Sequence, residues 1–203
     1  MIRIDLHIHT RYSGDAMISP KLIVDQLYAH PFIKGVAITD HDTLQGYHHA
    51  QKLATAYKDI LIIPGIEVST TQGHITILGV EEKPTYPRTV GDVVDFAKER
   101  AGTIVIPHPY RALGIGDLAR NVPADAIEVL NPRSTRQENK MAEELAKERN
   151  LPSVAGSDAH RPQQMWTAYT EVDNGLDVDD VLSAIKSGLV KVKAASARLR
   201  FKC

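Results

Sequence analysis

Residues 2–10 read Ile2-Arg3-Ile4-Asp5-Leu6-His7-Ile8-His9-Thr10, and the class of fold turns on this stretch. Apolar and polar residues alternate with period two, the pattern of a strand whose successive side chains point to opposite faces. Alternation places Asp5, His7 and His9 on one face and Ile4, Leu6 and Ile8 on the other. A helix start follows at Ser19-Pro20, an N-cap with proline at the first helical position. The pair reads as the first β-α unit of a series.

The series continues along the chain. Further strand candidates are Gly35–Thr39, Ile60–Val68, His74–Val80, Thr103–Pro107, Ala126–Leu130, Ser153–Ser157, Ala168–Val172 and Val190–Ala194. They are rich in Ile and Val, as buried parallel strands are. Helices fill most gaps. Asp42 or Thr43 is placed to cap one running to about Tyr57, and Thr89 another that closes at Gly102. Ser134 or Thr135 opens a third, and Asp177 opens the last, with Val178, Val181, Leu182 and Ile185 on one stripe before Gly188. Such β-α alternation implies parallel strands joined by crossover helices, in a closed or nearly closed barrel or in a doubly wound open sheet. No linker or repeat divides the chain, so residues 1–203 are read as a single domain. Residues 81–87, polar with two prolines, read as a surface loop.

Composition narrows the function. Aromatic residues make up 5% of the 203, which argues against a stacking platform for single-stranded nucleic acid. The net charge of -1 provides no global field to attract a polyanion, so any phosphate attraction must be local. The one cysteine, Cys203, leaves no disulfide framework or cysteine-based zinc site within a chain. A reducing, cytoplasmic location suits that, and the amino terminus has a strand pattern, not that of a secretory signal. No apolar run is long enough to span a bilayer. The sequence carries no signal of oligomeric state.

The chemistry lies at the strand ends. His7, His9, His41, Glu67, His108, Asp158 and His160 fall at or just past the carboxyl ends of strand candidates. Asp15 lies in the loop after the first strand, and His74 begins a hairpin strand after Glu67. Sites in parallel α/β folds are built at that end. Each piece alone has a bland explanation. His-x-His pairs occur incidentally, Thr39-Asp40-His41-Asp42 could cap a helix, and Glu67 could pair with an arginine. The convergence of separate strand ends decides for a metal centre, because burying so many ionisable groups together is costly without a cation. Imidazole with carboxylate suits zinc, manganese or iron. Asp5, deeper on the ligand face, is expected to orient His7 or His9. Asp40 is expected to do the same or to accept a proton. His30 precedes Pro31 at a helix end, and His48 and His49, adjacent on a helix, cannot both face one site. Arg111 and Arg133, just past strand ends, are placed to grip phosphate oxygens. Arg161 adjoins His160. The basic stretch from Lys186 to Lys202 reads as a solvated edge.

The runs Asp-Leu-His-Ile-His-Thr (5–10), Thr-Asp-His-Asp (39–42), Pro-Gly-Ile-Glu-Val-Ser (64–69), Gly-His (73–74), Pro-His-Pro (107–109) and Gly-Ser-Asp-Ala-His (156–160) resemble, in order, the motifs of the PHP family, the polymerase and histidinol phosphatase domains. The resemblance spans residue 1 to about 195. It implies a distorted seven-stranded β/α barrel holding two or three divalent transition-metal ions. By motif, His7, His9, Glu67 and Asp158 would hold one ion and Asp15, His41 and His160 a second. Glu67 would bridge to a third, held with His74 and His108. Ser13-Gly14-Asp15 departs from the commoner Ser-Asp-Gly order. The implied activity is metal-dependent hydrolysis of a phosphate ester, with Glu67, Asp40, Arg111 and Arg133 as the catalytic set. The chain has no Gly-x-Ser-x-Gly elbow for a serine nucleophile. A small phosphorylated metabolite or nucleotide is the expected substrate, ahead of a phosphodiesterase or 3′-5′ exonuclease acting on nucleic acid, or a metal-stabilised binding domain without catalysis.

Overall fold

The structure, a computed structural model, describes residues 1–85, 88–173 and 177–195. Residues 86–87 of the expected surface loop, the end of the basic stretch and Cys203 lie outside the described residues. The strands are β1 (Ile2–Ile8), β2 (Gly35–Ile38), β3 (Leu61–Thr70), β4 (Gly73–Leu78), β5 (Thr103–Ile106), β6 (Ala126–Leu130), β7 (Ser153–Ala155), β8 (Ala168–Val172) and β9 (Val190–Ala194). The helices are α1 (Pro20–Ala29), α2 (Gln45–Ala54), α3 (Val90–Glu99), α4 (Arg136–Glu148) and α5 (Val178–Lys186).

The expected count of seven strands is corrected to nine, in one sheet of order β7-β6-β5-β4-β3-β2-β1-β8-β9. Two strands run against the rest. β4 pairs antiparallel with both β3 and β5, because only Thr71 and Gln72 separate it from β3, too few residues for a crossover. β8 pairs antiparallel with β1 and β9. α5 between β8 and β9 is therefore not a crossover helix. It packs across the base, the end where the parallel strands begin.

The sheet nearly closes on itself. Past the end of β7, Ala159 forms a parallel bridge with Ile8, and the Asp158 N–H donates to the His7 carbonyl at 2.7 Å. β1 is thereby held by β2 on one side and by the chain leaving β7 on the other. The register of β1 shifts between Asp5 and Ile8, which breaks simple alternation. Ile8 joins the apolar layer under α1, while Ile4 and Leu6 join a plug with α5. That plug takes Ala37, Ile63, Leu78, Val105, Ala126 and Val154 from the next six strands.

Local signals explain most helix ends. Ser19 accepts the Leu22 N–H, and Thr89 and Thr135 form capping boxes with Asp92 and Glu138. Two expected ends are corrected. α2 begins after Leu44, and Asp42 instead accepts the Ser69 N–H at 3.0 Å and pairs with Arg88 at 2.6 Å. At the end of α3 the left-handed residue is Ala101, at φ 54°, and not Gly102. Gly102 is there for space: a Cβ would sit 2.8 Å from Ile77 Cγ2. Among the described residues, no helix is long and apolar enough to cross a membrane.

Candidate metal centre

The parallel strands end at one mouth, and most of the chemistry-bearing side chains gather there. β1 brings His7 and His9, the loop after β2 brings His41, β3 brings Glu67, β4 brings His74, and the turns after β5 and β7 bring His108, Asp158 and His160. Two of these sit on strained backbone: His108 has φ 26° and Asp158 φ 49°. Such conformations cost free energy and persist where the surroundings impose them, often at functional sites.

Glu67 is the hub. It is 1% exposed, and five imidazoles surround its carboxylate. Oε1 lies 2.9 Å from His74 Nδ1 and 3.0 Å from His108 Nε2. Oε2 lies 3.2 Å from His9 Nε2, 3.3 Å from His7 Nε2 and 3.4 Å from His41 Nδ1. Asp158 forms a second node, its Oδ1 3.4 Å from both His9 Nε2 and His160 Nδ1. Asp15 closes the outer edge, with Oδ2 3.0 Å from His160 Nε2 and 3.5 Å from His41 Nε2. Its departure from the motif order does not keep it from the cluster.

All nine side chains named from the sequence meet in four overlapping groups, with potential ligand atoms within 4.8 Å of one another. The groups are His9, Asp15, His41 and His160; His7, His9 and Glu67; His41, Glu67 and His74; and His7, His108 and Asp158. The partition differs in detail from the motif assignment, since His41 faces two groups and His108 also packs with His7 and Asp158.

The charge balance calls for cations. Burial opposes ionisation of Glu67, yet His7, His108 and His74 pull its pKa well below the usual carboxylate range. Burial likewise opposes charge on His7, but Glu128, Asp158 and Glu67 raise its pKa well above normal. His9, against burial, is raised to about 9 by hydrogen bonds with Asp158 and Glu67. Burial instead takes His41 down to about 4. The carboxylates thus draw protons onto some imidazoles while others stay neutral, and a divalent ion would replace those protons. His41 Nδ1 and His108 Nδ1 are buried with no hydrogen-bond partner, which fits a donor set built for metal. The residues present fit divalent metal ions.

The remaining expected residues surround this cluster. Asp5 does not touch an imidazole: its carboxylate accepts backbone N–H groups of Ser157 at 2.8 Å, His7 at 3.3 Å and Trp166 at 3.3 Å. Asp40 spends both oxygens on Thr10, at 2.5 Å from its N–H and 2.7 Å from its hydroxyl. A Cβ on Gly46 would lie 1.9 Å from Asp40 Oδ2, so α2 approaches this contact too closely for any side chain. Arg111 Nη1 lies 2.5 Å from Asp158 Oδ2, and Arg133 Nη1 3.1 Å from Asp158 Oδ1. His49 Nδ1 meets the Tyr12 hydroxyl at 3.1 Å on the lip. Sequence reasoning missed Ser13, whose hydroxyl accepts the His41 N–H at 2.9 Å and lies 3.1 Å from His9 Nδ1. The run Ile127-Glu128-Val129-Leu130-Asn131 also resembles the family, but sequence reasoning attached no role to Glu128, whose Oε1 lies 3.0 Å from His7 Nδ1. The available signal was an acid inside the otherwise apolar strand Ala-Ile-Glu-Val-Leu.

An uncharacterized protein of Methanocaldococcus jannaschii is 31% identical over 142 residues, covering 64% of this chain and 82% of its own. A 3′,5′-nucleoside bisphosphate phosphatase of Chromobacterium violaceum is 37% identical over 86 residues, 40% of this chain and 29% of that protein. A 5′-3′ exoribonuclease of Haemophilus influenzae is 36% identical over 86 residues, 41% of this chain and 30% of that protein. A crystal structure of a two-domain protein from Bacteroides vulgatus, containing a predicted PHP-like metal-dependent phosphoesterase, superposes with a TM-score of 0.81 at 18% identity. That match covers 95% of this chain and 64% of the other, less than two thirds of its length. Residues 136–190 match the PHP-associated family and residues 5–113 the PHP domain. The chain belongs to the PHP domain family of metal-dependent phosphoesterases.

Proposed function

We propose that this protein hydrolyses a phosphate monoester of a small metabolite or nucleotide, using two or three divalent ions of zinc, manganese or iron. The five imidazoles around the Glu67 carboxylate carry the reading, because a hub of this kind lets one carboxylate serve neighbouring cations. His7, His9, Asp15, His41, Glu67, His74, His108, Asp158 and His160 are the proposed ligands. Bound ions would supply water of lowered pKa near neutral pH and neutralise charge on the phosphoryl oxygens.

The chain's own residues do the rest. Arg111 and Arg133 reach the centre from two loops, and their guanidinium groups match phosphate oxygens. Each pairs with Asp158 through Nη1, which sets its guanidinium beside the residues that would hold the ions. Glu67 keeps the ligand set in register. Asp40, held by Thr10, acts as a positioning residue for the turn that follows His9. A cytoplasmic setting suits a chain whose only cysteine is Cys203.

One observation favours a second reading. Arg11, Arg136 and Arg161 stand on mouth loops or at the start of α4, and among the described residues no carboxylate pairs with them. A basic rim of this kind would suit the further phosphates of a nucleic acid. The test is metal content by elemental analysis, then equal-salt assays on p-nitrophenyl phosphate, its bis-ester, a nucleoside monophosphate and single-stranded DNA. Two or three ions per chain and highest kcat/KM on monoesters are expected. Less than about one ion after reconstitution defeats the metal centre. Faster shortening of the oligonucleotide favours the second reading.

A further inference from the structure

β6 lies between β5 and β7, both of which lead into ligand-bearing turns, yet supplies none of the nine proposed ligands. It does supply Glu128, 2% exposed, and leads directly into Asn131, fully buried. The β6–β7 register shifts between Glu128 and Leu130, an irregularity of the kind that re-aims a side chain.

Every partner of Glu128 is a donor or can serve as one. Oε1 lies 3.0 Å from His7 Nδ1. Oε2 accepts the His108 N–H at 2.9 Å and the Asn131 amide at 3.0 Å. The Asn131 amide also donates to Asp158 Oδ2 at 3.0 Å. The orientation of that amide follows from its other end, where Oδ1 accepts the Arg133 N–H at 2.9 Å. Asn139 anchors Asn131 to α4 through both backbone polar groups, at 3.1 and 3.0 Å. One connected pair thus reaches His7 on β1, His108 after β5 and Asp158 after β7. The last two are those with strained backbone.

Resting on the proposed metal centre, we infer that Glu128 and Asn131 are positioning residues that brace three metal ligands at once. A carboxylate beside His7 Nδ1 fixes the proton on that nitrogen. Nε2 is left with a lone pair aimed toward Glu67 and His9, where an ion would sit. Glu128 holds the His108 backbone in its unfavourable conformation, and Asn131 holds the Asp158 carboxylate.

Glu128→Gln tests the brace, because an amide has one acceptor oxygen where the partners need two. Whichever way it turns, one contact becomes donor against donor. Metal-stripped wild type and variant are titrated with zinc against a competing chelator. The variant should bind zinc about 10–100-fold more weakly with its far-ultraviolet circular dichroism retained. Glu128→Asp, with two acceptors, should recover part of the loss. Nitrogen-15 spectra of the zinc-loaded wild type should show His7 protonated at Nδ1, a readout that needs no variant to fold. Wild-type zinc affinity in Glu128→Gln, or a His7 ring protonated at Nε2, overturns the brace. A wild-type chain that takes up no zinc, manganese or iron would instead overturn the metal centre itself.

Discussion

At the base of the barrel, Ile4, Ala37, Ile63, Val105, Ala126 and Val154 meet Val181 and Ile185 of α5, none more than 5% exposed. At the mouth, Glu67, Asp158, Glu128, His7, His9 and His108 are buried as deeply, at 0–3%. Equal burial has opposite consequences at the two ends. Each square ångström of apolar surface removed from water at the base stabilises by roughly 25 cal/mol. At the mouth the same removal strips water from charges, and only mutual pairing or a cation compensates. Positive φ occurs at both ends, at Asp42, His108 and Asp158 of the mouth and at Ala101 and Asn150 where α3 and α4 lead into β5 and β7, but only at the mouth does it fall on proposed ligands. The base can therefore hold the scaffold that keeps the mouth in an arrangement it would not adopt by itself.

The largest expected effect is at the base. Ile63→Ala removes a fully buried side chain from the plug and should cost about 2–5 kcal/mol, read as a lowered denaturation midpoint. Turnover per folded molecule should stay near wild type. A loss under about 0.5 kcal/mol would show that the plug is not the anchor. The mouth counterpart is Glu67→Gln, which removes the shared charge. Turnover should fall at least about a hundredfold, with a smaller change in metal-free stability than Ile63→Ala produces. Near-normal turnover would remove Glu67 from the centre of the scheme.

A milder lesion sharpens the mouth further. Arg111→Ala or Arg133→Ala should raise KM or lower kcat about tenfold for a phosphate ester, with metal content unchanged. Arg111 should matter more, being 18% exposed at its side chain against 36% for Arg133 and closer to Asp158. Unchanged kinetics in both would return these arginines to a purely structural pairing with Asp158.

Legibility in the sequence divides along the same line. β1, β6, β8 and β9 match their expected bounds to the residue; Ile and Val between turn residues mark the buried β1 and β6, while β9 is marked by its alternation of Val with exposed Lys. The nine chemistry-bearing positions were legible because their residue types recur at strand ends, and they converge in space. The reversal of β8 was not, since a helix between two strands reads as a crossover, and only tertiary packing sends α5 to the base. The register shift in β1 likewise leaves no local signature, so it was not legible that Asp5 meets His7 through the backbone N–H and not through the ring. Glu128 stood in a family-like run with Asn131 but without a role, because its contacts with His7, the His108 backbone and Asn131 exist only in the folded sheet.

The smallest expected effect concerns a titrating group away from the mouth. His30 follows α1 where the chain turns toward β2, and it is 2% exposed. Its Nδ1 accepts the N–H groups of Phe32 at 3.1 Å and Ile33 at 2.9 Å, so that nitrogen must stay unprotonated in the folded chain. Burial, with Lys34 and Arg3 nearby, takes its pKa down from the ordinary 6.5 to about 4. The unfolded chain then binds the proton more readily than the folded one. The contribution of His30 to stability is complete above pH 6.5 and is lost as pH falls from there through 4. After screening by solvent the loss should be on the order of 1 kcal/mol. His30→Asn keeps an acceptor for the turn and does not titrate. Denaturant unfolding of the metal-stripped protein at pH 7.5 and pH 4.5 should therefore show a smaller drop for the variant than for wild type. Equal drops in the two would mean that the acid sensitivity comes from the mouth alone.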